Sequence, residues 1–94
     1  MYYSMDDYKF SHFEKSRRHM KKYDAIIEHK RTNKQVRIPF GAIGYDQYDD
    51  QALGLYDDYN HYDSRRRKLY RNRHKKWLKD GFYSPSYFSW RYLW

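Results

Sequence analysis

Six residues whose types could do chemistry stand close together in this chain: His61, Asp63, Arg66, Tyr70, Arg73 and His74. An arginine can stabilise charge on a phosphate, a histidine can move a proton and a tyrosine hydroxyl can attack, so the row holds the ingredients of phosphodiester chemistry. The rest of a catalytic set is missing. No paired carboxylates, HUH motif, cysteine or glycine-rich phosphate loop accompany the row. A structural account covers the same residues: Asp63 holds an arginine, Tyr70 caps a backbone group, and His61, Asp63, Tyr70, His74 and Trp77 form a supporting network. We prefer that account, so no residue is assigned a catalytic role and an enzyme is not expected. His12, His19, His29, His61 and His74 do not repeat at metal-ligand spacing. Only His61, Asp63 and His74 could converge, whereas zinc sites show closer, paired ligands. Neither a metal nor a cofactor is expected.

The same stretch is strongly basic. In RRRKLYRNRHKKW the cations Arg65, Arg66, Arg67, Arg71, Arg73, Lys75 and Lys76 are interleaved with aromatic rings. That mixture suits phosphate contacts by arginine and lysine combined with stacking by tyrosine or tryptophan. It suits an acidic protein surface equally, because arginine, tyrosine and tryptophan dominate protein interfaces. These seven residues are therefore the expected contacts to nucleic acid, DNA or RNA, or to an acidic partner. The formal charge of +8 points the same way. No apolar run approaches the roughly 20 residues that span a bilayer, and the first residues lack a secretory apolar core.

The elements that must position these residues follow from periodicity and punctuation. Residues 61–80 contain neither Gly nor Pro, begin near the N-cap candidate Asp63 and stop at Gly81, which predicts a basic helix. Residues 23–40 alternate with a period of two on either side of a polar run, which predicts a β-hairpin turning near Asn33, with Pro39 on an edge strand. A lone hairpin is marginal, so its apolar face should lie on the basic helix. Residues 41–60 form an acidic loop carrying Asp46, Asp49, Asp50, Asp57 and Asp58. The loop either folds over the basic helix as a partial mask or points away from it, and composition leaves both open. Ser84 as N-cap with Pro85 behind it predicts a short aromatic helix over residues 85–94. Tyr87, Phe88, Trp90 and Trp94 wrap that helix so completely that a docking partner is expected to cover part of it. Residues 1–22 fit neither period and read as an extended N-terminal arm. The expected fold is α+β, one small domain over residues 23–94. A chain of 94 residues buries only about 60 to 65% of its unfolded surface. With few aliphatics, the core must be largely aromatic.

Four segments carry a resemblance. KKYDAII at residues 21–27, PFGAIGYDQY at residues 39–48, the spaced series from His61 to His74, and the ending SPSYFSWRYLW together resemble a family of small basic proteins encoded by large nucleocytoplasmic DNA viruses. The likeness covers residues 21–94. The chain departs from the pattern in an acidic insert at residues 49–59 and in its tyrosine-rich first segment. The resemblance implies a viral setting, in the virion or in the cytoplasm or nucleus of an infected cell, and it implies little chemistry. Two functions are then expected to compete. One is a structural protein of the particle, minor-capsid-associated or cement-like, docking on viral structural proteins through its aromatic ends and basic helix. The other is a nucleic-acid-binding accessory protein.

Overall fold

The computed structural model describes residues 3–75 and 82–94. In chain order these form β1 (Tyr3–Ser4), β2 (Tyr8–Lys15), β3 (Lys21–His29), β4 (Gln35–Ala42), a 3-10 turn (Asp57–Tyr59), α1 (Ser64–His74), β5 (Phe82–Tyr83) and α2 (Pro85–Tyr92). The class is α+β: a three-stranded antiparallel sheet ordered β2-β3-β4, a small β1-β5 pair and two helices. No helix among the described residues is long and apolar enough to cross a membrane.

The hairpin lies where the period of two places it. Tyr23, Ala25 and Ile27 of β3 stand opposite Phe40, Ile38 and Val36 of β4, so one face of both strands is apolar. Asn33 takes the left-handed conformation at φ 61°, which its short polar side chain tolerates. The His29 ring holds the turn from inside, its Nδ1 accepting from the backbone of Arg31 at 3.1 Å and of Thr32 at 3.2 Å. Pro39 lies on β4, an edge strand, where a missing donor is tolerated.

Two expectations need correction. The segment expected as an arm supplies β2, which pairs along β3 as the third strand of the sheet. Its pattern was hidden by a register shift between Phe10 and His12. The extra residue, Ser11, lets Phe10 and Phe13, three positions apart, both pack against the core. The second correction concerns what covers the sheet. Phe88 and Leu93 bring α2 and its C-terminal end into the core beside Tyr23, Ala25, Ile27, Ile38 and Phe40, whereas α1 contributes no buried residue. Aromaticity outweighs charge here: a helix whose positive charges line both flanks cannot close an apolar sheet, and one studded with rings can.

Phe88 is fully buried. Its ring lies 5.6 Å from Phe40, 5.9 Å from Phe10 and 5.6 Å from Tyr83. It therefore serves the core and is not the docking residue expected of it. Tyr87, Trp90 and Trp94 are half-buried. Ser84 caps α2 by accepting from Tyr87 N at 3.2 Å, with Pro85 in the first turn. At the other end the acidic loop supplies donors for carbonyls that a helix leaves open. Tyr48 N and Asp49 N donate to Leu93 O at 3.0 and 3.1 Å, and Gln51 N donates to Tyr92 O at 2.9 Å. Gly41 makes the close approach of this region possible, with φ 76° and little space beside it: a Cβ would meet Leu93 Cδ1 at 3.0 Å.

Candidate anion-docking helix and groove

The charged row divides along α1 by helical phase. Arg67, Tyr70, Arg71 and His74, spaced by three and four, are half-buried and turn toward the C-terminal segment. Arg65, Arg66, Lys68, Leu69 and Arg73 are exposed, as is Lys75 just past the helix. Asp63 caps the helix, its Oδ1 accepting from Arg65 N at 3.0 Å and Arg66 N at 3.2 Å. This cap is a local device and was legible from residue types alone.

The inner stripe is committed to internal contacts. Arg67 Nε and Arg71 Nε both donate to the Trp94 main-chain oxygen, at 2.7 and 3.0 Å. The Arg67 guanidinium lies 4.6 Å from the Tyr48 ring centre and that of Arg71 lies 4.2 Å from Trp90. Trp90 Nε1 donates to Arg71 O at 3.4 Å. Burial, followed by the charges of Arg67 and Arg91, pushes the Arg71 guanidinium below its ordinary value. Arg67 and Arg71 were expected among the residues that contact a partner; the structure turns both inward to hold the end of the chain.

Tyr70 is stacked on Trp94 with ring centres 4.2 Å apart and planes 8° apart, and meets the His74 ring at 4.3 Å with a 31° tilt. Its hydroxyl meets Ser89, and burial raises its pKa. Trp94 also touches His61, at 5.1 Å between ring centres. His61 and Tyr70 are thus joined through the Trp94 ring and His74 through Tyr70, and Asp63 is tied in because its backbone N donates to His61 Nδ1 at 2.8 Å. His61 Nε2 is buried without a partner. Burial, and then the positive charge of Arg66, holds the His61 pKa down. Trp77 and Lys76, the remaining members expected here, lie outside the described residues.

The acidic loop is less of a mask than its charge allows. Among the described residues Asp46 is the loop carboxylate that pairs with α1, 3.7 Å from Arg66 Nη1, with both side chains about half exposed. Such a pair contributes about 0 to 1 kcal/mol. Asp50 instead points inward and accepts from the Tyr23 hydroxyl at 2.5 Å, Tyr56 N at 3.1 Å and Ala52 N at 3.0 Å. Gln47, also buried, donates to Tyr56 O and to Asn60 Oδ1. The loop is therefore bolted to the sheet from below, and the outer cations of α1 stay open.

One residue that sequence reasoning passed over completes the site. Lys22 falls in the segment expected as an arm, yet it lies on β3 and is 1% exposed. The loop folds over it: Lys22 Nζ donates to Tyr45 O at 2.7 Å and to Gln47 Oε1, and lies 5.3 Å from the Tyr59 ring centre. Desolvation lowers its pKa, opposed by the charges of Asp50 and Asp46. No local signal in the sequence announces this, because the cover comes from residues more than twenty positions away.

Above Lys22 lies an open groove of about 850 Å³ between α1 and residues 41–47. Arg66, Leu69 and Arg73 line it from α1, Tyr45 from the loop, and Lys22 and Trp94 from below. Among its lining residues the cationic side chains Lys22, Arg66 and Arg73 outnumber the one Asp, Asp46. In comparisons with known proteins, no family model, curated protein or solved structure matches this chain.

Proposed function

We propose that this chain is a non-enzymatic interaction protein of a large DNA virus, virion-associated, that docks on an anionic partner through the solvent side of α1. The single observation that carries the reading is that Arg65, Arg66, Lys68 and Arg73 are exposed on a helix that buries none of its residues. Charge held at the surface in this density serves binding, because exposed cations add little to the stability of the fold. The viral setting rests on the four resembling segments described above. An acidic face of a capsid-associated protein is the expected partner, and the inward-turned Arg67 and Arg71 keep the helix rigidly mounted for it.

Mass spectrometry of purified particles, combined with cross-linking, tests the reading. The chain is expected in the particle, with cross-links from Lys68 or Lys75 to an acidic neighbour. Charge reversal by Arg65→Glu with Lys68→Glu should abolish its incorporation while thermal stability stays unchanged. Presence in infected cells with absence from particles would refute the virion assignment. A second reading, a nucleic-acid-binding accessory protein, is favoured by the basic, ring-edged groove.

A further inference from the structure

The groove beside α1 has features that a flat docking face does not need. Tyr45 stands at its edge 70% exposed, the highest value among the large apolar or aromatic side chains of the described residues, and Leu69, also lining the groove, is 58% exposed. Tyr70, which also lines the groove, is by contrast engaged with other rings, lying 4.2 Å from Trp94 and 4.3 Å from His74. Tyr45 is engaged through its backbone oxygen, by Lys22, and its ring is left to solvent. Arg66 and Arg73 are two helical turns apart, about 10 Å along the axis, too far to share one phosphate and well placed for two. Arg66 has a loose partner in Asp46 at 3.7 Å, which a phosphate displaces. Lys22 adds positive potential from beneath while its ammonium stays bound to Tyr45 O and Gln47.

We infer that this groove takes a single strand of nucleic acid, with backbone phosphates on Arg66 and Arg73 and one unstacked base on Tyr45. The inference rests on the reading of α1 as an anion-docking helix and names the chemistry of one partner. Charge complementarity supports an anionic polymer, and the volume of about 850 Å³ falls within the range of about 300 to 1,000 Å³ that holds small-molecule ligands, and so a nucleotide unit. The exposed ring selects a single strand, because bases in a duplex offer no free face to an aromatic side chain.

The test is a fluorescence anisotropy titration of the full chain against a labelled oligothymidylate of about 20 nucleotides across about 50 to 200 mM salt. A duplex of equal length and poly-glutamate serve as competitors. The single strand is expected to bind best. Tyr45→Ala should weaken it about 5- to 150-fold, the effect of losing one stacked base, with the salt slope unchanged and Tyr45→Phe close to wild type. Arg66→Ala with Arg73→Ala should make the log–log salt slope shallower by about 1.4, from two phosphates at about 0.7 each. Tyr45 is exposed, so its substitution leaves the fold intact. Equal competition by duplex or by poly-glutamate, or indifference to Tyr45→Ala, overturns the groove assignment. If Arg65→Glu with Lys68→Glu still blocks docking on particles in that case, the α1 reading survives alone. If those substitutions are silent as well, both readings fall.

Discussion

Replacing Tyr23 by Phe removes one oxygen from the point where the acidic loop is bolted to the sheet. That hydroxyl donates to Asp50 Oδ2 at 2.5 Å and accepts from Leu55 N at 2.9 Å, and Tyr23 is fully buried. A hydrogen bond to a charged group contributes about 1.5 to 3 kcal/mol, and a buried donor left alone costs about 1 to 3 kcal/mol more. Leu55 as a residue is 57% exposed, so water relieves part of the second cost. Asp50 also keeps its two backbone donors. The expected loss is about 3 kcal/mol. Against a total stability of about 5 to 14 kcal/mol for a chain of this length, that is a large share, and it lowers Tm by about 12 to 24 °C. Urea unfolding followed by tryptophan fluorescence measures it, and a double-mutant cycle with Asp50→Asn isolates the pair. The pH dependence offers a second readout. Burial, followed by the hydrogen bond to Asp50, raises the Tyr23 phenol above its ordinary value. The unfolded chain therefore releases this proton first, so the contribution is complete below about pH 10 and declines as pH rises beyond it. Tyr23→Phe should remove that part of the alkaline loss. A change in stability within about 0.5 kcal/mol, the range of an ordinary surface substitution, would refute the view that this contact anchors the loop.

Gly41→Ala should destabilise by about 1 to 3 kcal/mol, because the position has φ 76° and the new Cβ would meet Leu93 Cδ1 at 3.0 Å; denaturant midpoints measure this. Arg67→Ala should cost about 1.5 to 3 kcal/mol, through loss of its charged hydrogen bond to Trp94 O, whereas Arg65→Ala should leave stability within about 0.5 kcal/mol and reduce partner binding instead. His61 should make the fold sensitive to mild acid. Its folded pKa is lowered from 6.5, so its contribution is present above that value and is lost as pH falls through the lowered one. Protonation also places a hydrogen on Nδ1, which now accepts from Asp63 N, and so disturbs the cap of α1. Thermal scans from about pH 7.5 to 5.5 should show a decline for the wild type that is reduced in His61→Gln. Glu14 acts lower on the scale. Hydrogen bonds from His12 and then Arg37 hold its carboxyl below 4.5, so its contribution is present above 4.5 and lost only as pH falls through the lowered value.

The features legible in the sequence are those decided within a few residues. The hairpin, the left-handed Asn33, the edge position of Pro39, and the caps Asp63 and Ser84 each depend on a local period or on one side chain reaching the nearest open backbone groups. The inward stripe of α1 was misjudged because the positions facing in, Arg67 and Arg71, are of the same type as those facing out. Charge patterning cannot separate two arginines when the inner pair is offered an oxygen and aromatic faces. The first segment was misjudged for a different reason. One bulged residue breaks an alternation of two, and only the partner strand shows that the chain on either side of it is still in register.

By itself, then, the amino-acid sequence determined the class of fold, the kinds of element, the aromatic character of the core and the surplus of positive charge, all of which follow from composition and short-range geometry. Tertiary structure decided which helix closes the sheet, that Phe88 belongs to the core, that Lys22 is covered, and which arginines remain free to meet a partner. Those outcomes turn on contacts between residues far apart in the chain, where burial of rings and the pairing of polar groups compete for the same limited interior. No window of neighbouring residues contains both sides of that competition.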